Sequence, residues 1–169
     1  VYKRQQADFP AQFQLIAAMN PCPCGYLGHV ANRCRCTPDL IARYQGKISG
    51  PLLDRIDMQI QVGALPHEDL LRQADGEPSA GIALRVADAA ATQLARQGKA
   101  NHALSGHEIE LHCRPDNSGE QLLRTAMNRL NWSARAYHRV LKVARTIADL
   151  SNESTISKLH VAEAVSYTH

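Results

Sequence analysis

The sequence has 169 residues, room for one medium domain or two small ones, and its 44% apolar content is ordinary for a globular chain. A net charge of +3 is too mild to argue for nucleic acid by itself. No run of about 18 apolar residues exists and no signal-peptide pattern is visible, which argues against a membrane span and points to a cytoplasmic compartment where the five cysteines stay reduced.

Aromatics are scarce at 5%, so the core must rest on Leu, Ile, Val and Ala, a composition that favours helix. Val1-Tyr2-Lys3-Arg4-Gln5 has no periodicity and leads into Phe9-Pro10, so the chain reads as a fragment whose N-terminal partner segments lie upstream. Phe13 to Met19 is a short apolar run with turn chemistry at both ends, expected as a buried, parallel strand. Residues 20–37 are loop, rich in Pro and Gly. Thr37-Pro38-Asp39 starts a short helix, Thr37 capping it and Gly46 ending it. After the turn Ser49-Gly50-Pro51, Leu52 to Arg55 reads as one helical turn, and Asp57 to Val62 alternates polar and apolar as a half-buried strand. A short helix is expected from His67 to Ala74.

The remainder reads as a bundle of about five helices. The first runs from Ser79 to Gln97, with Ile82, Val86, Ala89, Ala90, Leu94 and Gln97 as its packing stripe and Gly98 as its stop. Ser105 caps the next, which carries Ile109 and Leu111. Asp116 or Asn117 caps a third, with Leu122, Leu123, Ala126, Met127 and Leu130 inward. Ser133 caps the strongest, with Tyr137, Val140, Leu141, Ala144, Ile147 and Ala148 apolar. Ser157 caps the last, with Leu159, Val161, Ala162 and Val165, and the final four residues look frayed. The expected fold is therefore α+β and mainly α: a sheet-bearing part over 1–65, a linker over 66–77 and a helical part over 78–169.

Four stretches carry chemistry. Cys22-x-Cys24 and Cys34-x-Cys36 supply four thiolates, the ligand set of a tetrahedral Zn²⁺, in a loop able to wrap a metal. Four packed thiols or two disulfides are the alternatives, and His29 could substitute as a ligand. Cys113 stands alone and reads as a buried apolar residue. Asn20 ends an expected strand, where open α/β sheets place ligand-contacting groups, although Asn-Pro also starts ordinary turns. Arg55 is either a surface arginine paired with Asp54 and Asp57 or one presented at a subunit edge to a transferring phosphoryl group. Arg135 lies just inside the helix capped by Ser133, where the dipole disfavours a cation by about 0.3–1 kcal/mol. A guanidinium beside a helix N-terminus makes a phosphate site, so that conflict points to function. Arg139 and Lys142 continue the basic face, for which solvation is the simpler account.

Several of these motifs resemble those of one family. Phe13 to Gly25 with its Asn20-Pro21-Cys22-Pro23-Cys24-Gly25 run, Cys34 to Pro38, Ile48 to Asp57, Leu104-Ser105-Gly106 and Ser133 to Leu150 are similar to the magnesium-chelatase-like AAA+ ATPases of the YifB/ComM group, over about Phe9 to Val165. The resemblance implies the C-terminal strands of a AAA+ α/β core followed by a helical lid. It implies that Asn20 is the sensor-1 residue positioning the attacking water, that Arg55 is an arginine finger acting in the neighbouring subunit's site, and that Arg135 is the sensor-2 arginine. It further implies ATP and Mg²⁺ as cofactors, self-assembly into a ring, expected to be a hexamer, and DNA as the partner of a branch-migration motor in natural transformation. No Gly-x-x-x-x-Gly-Lys-Ser/Thr loop and no Walker B acidic pair occur, so these parts are expected upstream and the chain alone is expected to be inactive. Two rivals remain: a zinc-stapled DNA- or protein-binding module using Arg33, Arg35, Arg43 and Lys47, and a magnesium chelatase ATPase subunit.

Overall fold

The computed structural model describes residues 13–29, 31–63 and 76–168, which divide into two units, 1–47 and 48–169. The expected helix at His67–Ala74 and most of the linker lie outside the described residues.

In the first unit, Gly25 takes a positive φ of 78° and returns its N–H to Cys22 O at 3.0 Å, closing a tight turn over Cys22–Gly25. Helix α1 (Pro38–Gln45) starts as expected: Pro38 fits the first turn and the Leu40 N–H donates to Thr37 Oγ1. It buries no residue, and Gln45 Nε2 ties its end to Pro21 O at 3.1 Å.

In the second unit, α2 (Gly50–Leu53) is a single turn capped by Ser49. After it come α3 (Ser79–Gln97), a 3₁₀ turn (Asn101–Ala103), α4 (Gly106–His112), α5 (Asn117–Leu130), α6 (Ala134–Leu150) and α7 (Lys158–Ser166). Helix α6 is central, packing against α3, α4 and α7. Val140, Leu141, Ala144 and Ala148 of α6 meet Leu104, Ile109, Cys113, Leu123, Ile156, Val161 and Ala164 in one apolar core. Cys113 is fully buried, and desolvation pushes its thiol up to about 11.

The structure corrects several sequence expectations. Among the described residues there is no strand, only an isolated parallel bridge between Pro115 and Ile156. Residues 13–19 and 57–62 carry no ladder, and Ile16 and Val62 are 85% and 90% exposed. Strand assignment needs a partner's N–H and C=O groups, which apolar alternation cannot supply. The expected stripe of α3 is also displaced: Ala89 and Gln93 are buried while Ile82, Val86 and Leu94 are exposed. A polar cluster sets that rotation. The fully buried Asp149 carboxylate accepts from Arg96 of α3 (2.5 and 3.0 Å), Asn101 (2.9 Å) and Arg145 (3.0 Å), and Gln93 Oε1 accepts the Asn101 N–H. Burial raises the Asp149 carboxyl, but the hydrogen bonds from Arg96 and Asn101 and the Arg145 charge outweigh it and hold the group low. Leu111 and Leu159 are exposed as well. Of the final four residues, His169 lies outside the described ones, and the rest are not frayed: Tyr167 O accepts the Gln59 N–H at 2.8 Å, and Thr168 is buried.

Candidate functional site

The short α2 turn exists because Ser49 caps it and Pro51 pre-sets its first residues. It delivers Arg55 to the surface, where Nη1 donates to Pro51 O at 2.6 Å rather than pairing with the flanking carboxylates. Beneath it lies Arg139 of α6, only 8% exposed, whose Nη1 donates to Asp54 O at 3.0 Å and Ile56 O at 3.1 Å. The carbonyls on either side of Arg55 are thus held by one guanidinium. The expectation that Arg139 is simply solvated is wrong, because its acceptors are more than 80 residues away in sequence and leave no local trace.

Arg135 is the second residue of α6, just past the Ser133 cap, and its guanidinium stands 3.8 Å from an Asp54 oxygen. At 58% exposure that pair is worth under about 1 kcal/mol and leaves the side chain free to serve another anion. Arg55, Arg135, Arg139 and Lys142 line one open cleft of about 460 Å³, together with His138, Gly106, Asp54 and Asp57. Four cations face two carboxylates at a helix N-terminus, an arrangement that suits phosphate oxygens.

Asn20 belongs to the first unit and is exposed, not the end of a buried strand. Its amide lies over Gly25: a Cβ added there would stand 3.7 Å from Asn20 Cγ. Next to it Cys22, Cys24, Cys34 and Cys36 are all free thiols with their sulfurs within 4.8 Å of one another, which removes the two-disulfide alternative. His29 is outside this group; its Nδ1 accepts the Ala31 N–H. Backbone N–H groups of Tyr26 and Arg35 pull the Cys24 thiol down to about 6. The Cys24 backbone pulls Cys36 the same way, but sharing with the Cys24 thiol, desolvation and the Cys22 charge push it up to about 12. The crowding thus splits the thiols, with Cys24 pulled down and Cys34 and Cys36 pushed up. Arg33, Arg35, Tyr26 and Asn32 border an open pocket of about 500 Å³ beside Cys24.

The sequence reading had not singled out the Asp149 cluster. Its signal was an Arg145–Asp149 pair at i, i+4 inside an otherwise apolar helix face.

Residues 1–70 match the family described as magnesium chelatase, subunit ChlI, and residues 76–168 match its C-terminal counterpart, magnesium chelatase, subunit ChlI C-terminal. The chain is 46% identical over 161 residues to the competence protein ComM of Haemophilus influenzae, covering 95% of this chain and 31% of that protein. It is 43% identical to YifB of Salmonella typhimurium over 166 residues, and 41% identical to YifB of Escherichia coli over the same length, covering 97% of this chain and 32% of each relative. The chain therefore spans about a third of the length of these relatives. Among the described residues no helix is long and apolar enough to cross a membrane.

Proposed function

Because this chain belongs to the magnesium chelatase subunit ChlI family, whose members are AAA+ ATPases, we propose that it supplies the sensing and charge-stabilising residues of an ATP site. The observation that carries the reading is the cationic cleft shared by Arg55 and Arg135. In phosphoryl transfer the protein does little covalent chemistry; it positions groups and offsets charge on the transferring γ-phosphoryl. Arg55 is the arginine finger of that reading and Arg135 its sensor-2 arginine. Their common cleft favours giving both to one nucleotide, held by the neighbouring subunit of a ring. Asn20 orients the attacking water. ATP and Mg²⁺ are the cofactors, gripped mainly by a phosphate-binding loop and an acidic pair outside this chain, and the four cysteines are given Zn²⁺. The 46% identity to a competence protein supports a role in DNA uptake, with the ring, expected to be hexameric, driving branch migration.

The test is Arg55→Ala in the native protein. An arginine finger contributes about 10³–10⁵ in rate, so turnover should vanish while ATP binding persists. Loss of ATP binding with turnover per bound ATP intact would sink the assignment.

A second reading has its own observation, the pocket that Arg33, Arg35 and Tyr26 form beside the cysteines. Guanidinium groups and an aromatic ring together suit single-stranded nucleic acid, making the loop a DNA-contacting module. DNA affinity that falls steeply with salt and weakens in Arg33→Ala and Arg35→Ala would support it.

A further inference from the structure

Three of the sulfur–sulfur separations in the cysteine cluster are 3.4 Å (Cys22–Cys24), 3.7 Å (Cys22–Cys34) and 3.7 Å (Cys24–Cys34). Four thiolates about 2.3 Å from a central Zn²⁺ at tetrahedral corners stand about 3.8 Å apart. A disulfide would need about 2.05 Å. Three of the sulfurs thus have the spacing of a tetrathiolate zinc centre, and the Cys36 sulfur lies within 4.8 Å of each of them. The backbone is arranged to suit it: Gly25 closes the turn that carries Cys22 and Cys24, and Cys34 and Cys36 lead directly into the Thr37 cap of α1. A tetrathiolate around Zn²⁺ is formally dianionic, and Arg33 and Arg35, adjacent to the ligands in sequence, offset that charge.

The same turn carries Asn20, since Gly25 is the residue its amide covers, and the neighbouring Pro21 O is held by Gln45. We propose that the four thiolates bind one Zn²⁺ and that the ion, by locking the Cys22–Gly25 turn to the Cys34–Cys36 arm, makes the cysteine loop the positioning device for the Asn20 amide. The effect on turnover rests on the ATPase reading; the metal site and the ordering of the turn do not.

The experiment uses the native protein purified under reducing conditions without chelator, compared with Cys34→Ser and Cys36→Ser, both remote from Asn20 in sequence. Elemental analysis should find one zinc per chain in the wild type and its loss in both variants. Replacement of Zn²⁺ by Co²⁺ should give sulfur-to-cobalt charge-transfer absorption. Deuterium uptake over residues 19–28 should rise in the variants, and kcat should fall with KM for ATP little changed. A wild type without zinc, or with iron in its place, overturns the metal site. Zinc lost with uptake over 19–28 unaltered overturns the positioning role. Raised uptake with an unaltered kcat removes Asn20 from turnover and leaves the metal site standing.

Discussion

Arg139 ties helix α6 to the segment that carries Arg55. A buried guanidinium is costly unless its donors are satisfied, yet its Nε has no hydrogen-bond partner among the described residues. What it does provide is two bonds to the carbonyls flanking Arg55, from the helix that also carries Arg135. Arg139→Met keeps the apolar stem and removes both bonds. A displacement of about 1 Å at a reacting centre can cost about 10²-fold, so kcat should drop by that order while ATP affinity holds, with Arg55 itself intact. Leaving two carbonyls unpaired should also destabilise the fold by about 1–3 kcal/mol, readable in denaturant melts. An unchanged kcat in a destabilised variant would reduce Arg139 to a structural residue.

At the scale of elements, caps and contacts decide what forms. Glycine inside a helix usually costs about 1 kcal/mol against alanine. Gly119 of α5 reverses that sign, because a Cβ there would meet Pro115 Cβ at 2.9 Å and Val161 Cγ2 at 3.3 Å. The proline ring cannot move aside, so Gly119→Ala should destabilise by about 1–3 kcal/mol in chemical denaturation, by parting α5 from α7. Helix α4 shows a pH-dependent cap. Glu108 is lowered from 4.5 to about 2, first by Lys99 and then by the Ser105 backbone and hydroxyl. A carboxyl depressed in the folded state adds stability above its unfolded value, and that stability is lost as pH falls from 4.5 through about 2. Wild type should therefore melt above Glu108→Gln at neutral pH, and the difference should close over that window.

The caps were legible because capping is local: Thr37, Ser105, Asp116, Ser133 and Ser157 all stand where the sequence predicts helix starts, whereas Ser49, read as part of a turn, caps a helical turn that begins two residues earlier than expected. So were the four-cysteine loop and the two exposed arginines, since residue type and spacing carry them. The packing face of α3 was not, because the Arg96–Asp149 bond joins residues 53 apart and outweighs an apolar stripe. Arg139 was missed for the same reason, and the strands because a ladder belongs to two partners.

For the whole molecule, the cleft is open, Arg55 and Arg135 are exposed along it, and the proposed reading has a neighbouring subunit complete it. The chain by itself is expected to hydrolyse no ATP, but that result alone would not say which subunit Arg55 serves. Mixing native-length subunits does. One variant is disabled in its phosphate-binding loop and keeps Arg55; the other keeps the loop and carries Arg55→Ala. Neither turns over ATP alone. In a head-to-tail ring, about one quarter of the interfaces in a random equal mixture pair an intact loop with an intact Arg55. ATPase activity of the mixture should recover toward that fraction. If Arg55 served its own subunit's nucleotide, no site in the mixture would be whole and activity would stay at background. Arg135→Ala in place of Arg55→Ala extends the test. Recovery places both arginines on the neighbour's phosphate, as their shared cleft implies, whereas a silent mixture returns Arg135 to its own subunit and separates the roles of two residues that line one cleft.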